Sequence, residues 1–160
     1  MIIIKGATVC FTGHRVIPEK DYPEIQKRLE DEIIALIHQG ARYFGAGGAL
    51  GFDTMAALCV LKLRTEFPHI RLILVLPCRE QAERWSERNK KIYGQILKQA
   101  DKVVYTAERY YRGCMLKRNR YLVDNSAICV CYLTEDSGGT AYTAEYARQK
   151  GLQIINLARC

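Results

Sequence analysis

Four glycines, Gly45, Gly47, Gly48 and Gly51, fall within seven positions of the run Phe44-Gly-Ala-Gly-Gly-Ala-Leu-Gly-Phe-Asp53. Glycine carries no Cβ, so a turn made of it lets a ligand approach bare backbone. Where a helix follows, the amides of the turn also stand at the positive end of the helix dipole. Such a turn seeks anions, phosphate above all. The plainer alternative is a tight structural turn that lets helix and sheet approach closely. A second glycine turn, Ser137-Gly138-Gly139-Thr140, opens another helical stretch, where Thr140 and Thr143 can offer hydroxyls to a ligand or cap the helix. Two turns suit a molecule with two polar portions, a phosphate and a ribose. Asp53 would repel a phosphate, so its carboxylate is better spent on ribose hydroxyls or on capping its own helix.

Further polar groups stand at the ends of apolar runs. Thr12, Gly13, His14 and Arg15 close the first run, and the basic pair can hold a phosphate, with His14 able to shuttle a proton. A surface loop would use the same residues. Asn119 interrupts a helical apolar face with Arg118 beside it, which reads as a phosphate clamp with an amide for a base or sugar, or as a buried polar pair satisfied by carbonyls. Cys78 ends a strand but has no histidine near it in sequence to activate it. Trp85 falls on the apolar stripe of its helix and reads as core ahead of a base-stacking platform. With His14, His38 and His69 the only histidines, neither a histidine metal centre nor a Ser-His-Asp triad is easily built, and no metal is expected.

The elements that must position these groups alternate. Strands are expected over 2–11, 41–44, 70–76, 102–105, 127–133 and 153–157. Helices are expected from Asp21, as capping residue, to Gly40, from Asp53 or Thr54 to Pro68, and over 81–100, 112–124 and 141–150. This order predicts an α/β fold, a three-layer Rossmann-like open, mainly parallel sheet with helices on both faces. Ligands of such sheets sit beyond the carboxyl ends of the strands where strand order reverses, and every turn named above follows a strand.

Composition narrows the class. The chain has 160 residues, 49% hydrophobic and 26% charged, as expected of one domain spanning 1–160 with a real core. No apolar run approaches the ~20 residues of a membrane span. The opening Met-Ile-Ile-Ile-Lys is too short for a signal peptide, so the expected location is cytoplasmic with no membrane partner. The seven cysteines, Cys10, Cys59, Cys78, Cys114, Cys129, Cys131 and Cys160, are odd in number, scattered and without a Cys-x-x-Cys pair, so no metal or disulfide framework is expected of them. Cys10, Cys129 and Cys131, in apolar strand-like runs, read as small buried thiols. The formal charge of +7 concentrates between Arg84 and Arg120, where eleven Lys or Arg face only Glu87, Asp101 and Glu108. A solvated helical face accounts for that surplus. Nucleic acid is the sharper alternative, although neither interleaved exposed aromatics nor a groove-reading motif is expected to accompany it.

Taken together, Phe11-Thr-Gly-His-Arg15, Gly45 to Asp53, Leu76-Pro-Cys78, Arg118-Asn119 with Leu122-Val-Asp124, and Gly138-Gly-Thr140 with Thr143 resemble the YpsA-like branch of the SLOG superfamily. That superfamily joins the Rossmann-like domain of the DNA-processing protein DprA to the LOG-type phosphoribohydrolases. The resemblance implies a nucleotide-derived ligand, an ADP-ribose or NAD relative among the options, bound without a required cofactor. Partners under this reading are the small molecule first, further copies of the chain, and nucleic acid last. The LOG enzymes cleave the bond between base and ribose 5'-monophosphate. On their pattern Arg118 takes the place of the arginine and Glu145 that of the final glutamate, which makes these two the catalytic candidates. The pattern departs at Asn119 for lysine, Ala141 for the third glycine and Tyr142 for threonine, changes expected to crowd the phosphate loop.

Overall fold

A computed structural model describes residues 1–158, so the expectation for Cys160 lies outside the described residues. Its sheet is built from β1 (Thr8–Gly13), β2 (Tyr43–Ala46), β3 (Arg71–Leu76), β4 (Lys102–Tyr105), β5 (Ile128–Tyr132) and β6 (Gln153–Asn156). The order is β4-β3-β2-β1-β5-β6 and every pairing is parallel. The chain therefore steps outward from β1 to β4, crosses back to the far side of β1, and finishes with β5 and β6.

Five helices cover the two faces: α1 (Tyr22–His38), α2 (Phe52–Glu66), α3 (Glu87–Gln99), α4 (Cys114–Asp124) and α5 (Gly139–Gln149). The pleat sorts side chains between them. Val9 and Phe11 of β1 point into a core shared with Leu29 and Ile33 of α1, Met55 and Val60 of α2 and Ile96 of α3. Cys10 points the other way, into a core with Leu122 and Val123 of α4 and Ala147 of α5. Burial on both faces explains why the strands read as continuous apolar runs rather than alternating ones. Helix α2 is buried almost all round, because it lies on the sheet between α1 and α3.

Element boundaries depart from the sequence expectations at four places. The first strand begins at Thr8, not Ile2. Residues 5–7 form a 3-10 turn closed by the Ala7 amide (3.0 Å) and the Thr8 hydroxyl (2.7 Å), both donating to the Ile4 carbonyl, and Ile2 is left exposed. Asp21 makes no capping bond, since a short 3-10 turn over Glu19–Asp21 leads into α1. Helix α3 starts at Glu87 rather than Gln81, where Ser86 accepts from the Asn89 amide at 3.2 Å and leaves 80–85 as a turn. Gly45 lies inside β2 rather than in the turn after it. A Cβ there would stand 2.9 Å from Leu122 Cδ2, so its absence lets α4 seat on the sheet.

Candidate functional site

Strand order reverses between β1 and β5, and at their carboxyl ends lies a cleft of about 300 Å³. Thr12, Gly13, His14 and Arg15 enter it from β1 and the loop that follows. Asp53 comes from α2, Arg118 and Asn119 from α4, and Gly138, Gly139 and Thr140 from the start of α5. These expected residues are brought to one place by four different stretches of chain. Gly45, Gly47, Gly48, Gly51, Thr143 and Glu145 do not line it.

Arg118 is the centre of the arrangement. It stands one helical turn before Leu122 on the inward face of α4, so the contact that seats Leu122 on the sheet also buries Arg118, which is 3% exposed. Its Nη1 donates to the Gly47 carbonyl and its Nε to Asn119 Oδ1 at 2.7 Å. Among the described residues the hydrogen-bond partner of Nη2 is the Met115 sulfur, at 3.8 Å, so that donor stays poorly matched beside the cleft. Asn119 Nδ2 donates onward to Thr143 Oγ1 at 3.0 Å, and the Thr143 hydroxyl donates to the Gly139 carbonyl at 2.8 Å. One hydrogen-bonded relay thus joins the first glycine turn to the second through Arg118, Asn119 and Thr143. Thr143 acts in it as a buried brace, not as a wall of the cleft.

The two turns differ in what fills them. Asp53 is buried and accepts from the Ala49 amide at 3.3 Å, so the protein's own carboxylate occupies the first turn. Burial pushes the Asp53 carboxyl above its usual range, against the pull of Arg118, the Ala49 amide and Arg15. Burial likewise lowers the Arg118 guanidinium, with Asp53 opposing that shift. A Cβ on Gly47 would stand 2.7 Å from Arg118 Nη1 and 2.8 Å from Asp53 Oδ2, so the glycine leaves room for this pair to approach. At Gly138 and Gly139, by contrast, a Cβ would meet nothing within 4 Å, and both residues are exposed. Gly138 precedes α5 with φ +97 and lines the cleft with Gly139 and Thr140, so the start of that helix, whose first amides have no partner within the helix, borders the cleft without a covering side chain.

The rest of the rim is mixed in charge. Exposed Arg15 lines the cleft opposite Arg118, while Glu135 adds a carboxylate from the loop after β5. His14 Nε2 accepts from the Thr134 amide at 2.9 Å, which fixes the ring as a clasp between the β1 and β5 loops with its proton on Nδ1. Ala49, Met115, Leu116, Glu135 and Ser137 are lining residues that the sequence did not single out. Met115 shares the period of Leu122 along α4, a spacing that signals core in place of a cleft wall, and an acid in a loop carries no signal of its own.

Other candidates are set elsewhere. Glu145 pairs with Arg148 at 2.5 Å and lines, with Asp136, Tyr142 and Tyr146, a neighbouring hollow that meets the Arg118 cleft at Ser137 and Gly138, so it does not itself line that cleft. Ala141 and Tyr142 line that hollow together with Ser137 and Gly138 of the second glycine turn, and a Cβ added at Gly138 or Gly139 would still meet nothing within 4 Å. Cys78 is buried beside Cys114, and burial pushes its thiol up, the opposite of an activated nucleophile. Cys59 and Cys131 are raised to about 12 and about 11, chiefly by burial, as expected of apolar thiols. Trp85 is half-exposed in the 80–85 turn rather than in the core. No helix among the described residues is long and apolar enough to cross a membrane.

Comparison with known proteins bears on this geometry. A family model described as the YspA SLOG family matches residues 12–156. A UPF0398 protein of Halalkalibacterium halodurans is 37% identical over 132 residues, covering 81% of this chain and 70% of the relative. A UPF0398 protein of Bacillus cereus is 30% identical over 153 residues, covering 89% and 83%. Among solved structures, DNA processing protein A of Helicobacter pylori, described for its single-stranded DNA binding mode, superposes with a TM-score of 0.67 at 20% identity. It covers 94% of this chain and 64% of that one. DNA processing protein A of Streptococcus pneumoniae gives 0.66 at 16% identity, covering 94% and 50%. This chain therefore spans less than two thirds of either structural neighbour, and at those identities the likeness shows the fold.

Proposed function

The chain belongs to the YspA SLOG family, and from that premise we propose that it binds a nucleotide-derived small molecule in the cleft between β1 and β5. The observation that carries the reading is the convergence there of a buried guanidinium with an under-used donor, a second arginine, and the uncovered start of α5. Guanidinium groups and helix-start amides suit a phosphate. Carboxylates on the same rim, Asp53 and Glu135, suit ribose hydroxyls. A molecule carrying both, such as a nucleoside monophosphate or an ADP-ribose relative, matches the mixed lining better than a plain anion would.

Binding is favoured over N-glycosidic hydrolysis because Glu145, the acid that hydrolysis would need beside Arg118, pairs with Arg148 and lines the adjoining hollow instead of the cleft itself. The test incubates the chain with AMP, NAD and ADP-ribose, follows melting temperature, and separates the products by chromatography. Unchanged ligand with a raised melting temperature is expected. Arg15→Ala, whose side chain is exposed on the rim, should weaken binding roughly tenfold while leaving the melting temperature of the free protein in place. Release of base or nicotinamide that Glu145→Ala abolishes would replace this reading with hydrolysis.

A nucleic-acid module is the second reading, supported by the fold likeness to DNA processing protein A and by the exposed run Arg109-Tyr110-Tyr111-Arg112. It requires DNA binding that falls steeply with salt and is indifferent to Arg15→Ala.

A further inference from the structure

Beyond Met115 lies a second hollow of about 520 Å³, bounded by the 80–85 turn and Tyr110. Met115 lines this hollow and the cleft alike, so one thioether separates them. The geometry points to this hollow as the seat of the ligand's base: a purine with an exocyclic amino group, stacked on Trp85 with its edge toward Gln81. This rests on the nucleotide reading of the adjoining cleft and assigns the end of the molecule that the cleft does not hold.

Two observations carry it. Trp85 is a large apolar ring left half-exposed in a turn, and it is braced rather than loose. Tyr93 meets it edge to face, with centroids 5.2 Å apart at 79°. An indole held in that way presents a stacking face to a planar ring. Gln81 supplies the polar end. Its Oε1 is buried without a hydrogen-bond partner, while its Nε2 reaches the Tyr93 hydroxyl at 3.4 Å. Turning the amide over only exchanges which end lacks a partner, so a buried amide group waits for a match either way. A base edge that carries an amino donor beside a ring acceptor provides one.

The surrounding structure holds these two groups in place. Glu80 accepts from the Tyr110 amide at 2.5 Å and Arg79 pairs with Glu108 at 2.9 Å, which ties the 79–85 segment to the opposite wall. Gly48, at φ +72, gives the remaining space. A Cβ there would stand 2.5 Å from Leu76 Cδ2 and 3.3 Å from both Gln81 Nε2 and Tyr93 Cε1. The first glycine turn thus has Arg118 on one side, at Gly47, and Gln81 on the other, at Gly48.

Trp85 is the chain's single tryptophan, so its emission reports on the hollow directly. Titration of the full chain with AMP should quench that emission saturably. Ribose 5-phosphate should bind more weakly, detected by melting temperature, and leave the emission unchanged. Trp85→Leu should weaken AMP by about 10- to 100-fold and leave ribose 5-phosphate unaffected. Purine riboside 5'-monophosphate, which keeps the ring and its N1 acceptor but has no exocyclic donor, should bind less well than AMP to the wild type, and Gln81→Met should erase that preference. Equal affinity for AMP and ribose 5-phosphate with flat emission overturns the base site and leaves the phosphate cleft standing. If neither compound binds the wild type, both readings fall. Quenching by single-stranded DNA that AMP cannot compete away overturns the base site in favour of a nucleic-acid surface.

Discussion

The two glycine turns carry nearly the same signal in sequence and do opposite work in the fold. In the turn after β2 each missing Cβ is a space already taken: Arg118 and Asp53 crowd Gly47, Leu76 crowds Gly48, and the backbone of the β1 loop crowds Gly51. In the turn before α5 the space beside Gly138 and Gly139 is empty. Glycine at the first site serves close approach within the protein, and glycine at the second serves approach from outside. A relay through Arg118, Asn119 and Thr143 connects them, so the filled turn fixes the guanidinium that stands beside the open one.

The largest expected effect comes from emptying the filled turn. Arg118→Met leaves the Gly47 carbonyl and Asn119 Oδ1 without their donor and Asp53 without its nearest cation, a loss of roughly 3–5 kcal/mol by urea unfolding. Asp53→Asn in the same chain should recover part of it, because the uncompensated buried charge goes. A cost below about 1 kcal/mol would mean that charge does not hold the turn together. Asp53 also gives the comparison a pH dependence. Its carboxyl is raised in the fold above the ordinary 3.8, so the folded chain binds that proton more tightly than the unfolded one. The stability associated with the protonated form is complete below 3.8 and is lost as pH rises through the folded value. Wild type should therefore lose stability relative to Asp53→Asn over a window that opens near 3.8 and runs upward. A difference that stays flat with pH would show that Asp53 is as well solvated in the fold as outside it.

Next in size is Gly51→Ala, at about 3 kcal/mol. Gly51 sits at φ +80, where an L side chain is strained, and its Cβ would come within 2.6 Å of the His14 carbonyl oxygen. Because Phe52 N donates to that same carbonyl at 3.1 Å, neither backbone can withdraw without breaking the start of α2. Thermal melting would register the loss, and a shift of less than a degree would show that the β1 loop can yield.

How far this difference was legible depends on the kind of cause. The α/β class and the carboxyl-edge location follow from local patterns, apolar runs with turns after each, and these are set by residues near one another in the chain. That Arg118 and Asn119 belong together was readable because Asn119 interrupts an apolar helical face and Arg118 stands next to it in the chain. Whether a glycine is covered or open is a long-range property. Gly47 is filled by Arg118, 71 positions away, and no spacing within the turn records that. Trp85 misled for a similar reason: it fits the period of a helix that Ser86 starts only afterwards. Residues 2–7 misled through apolar content alone, where Gly6 and the turn at 5–7 delay the strand.

The smallest stability effect is expected at the open turn, and there it separates folding from binding. Gly139→Ala places a methyl group where nothing lies within 4 Å, at the first position of α5, and it reduces the freedom of the unfolded chain. Its melting curve should be unchanged or stabilised by up to about 0.5–1 kcal/mol. The same methyl projects into the approach to the first amides of α5, so AMP affinity should fall while stability holds. Gly51→Ala should show the reverse order, stability lost first. If Gly139→Ala binds AMP as well as wild type does, the uncovered helix start is a structural turn whose neighbour happens to be solvent, and Arg118 with Arg15 must hold the phosphate alone.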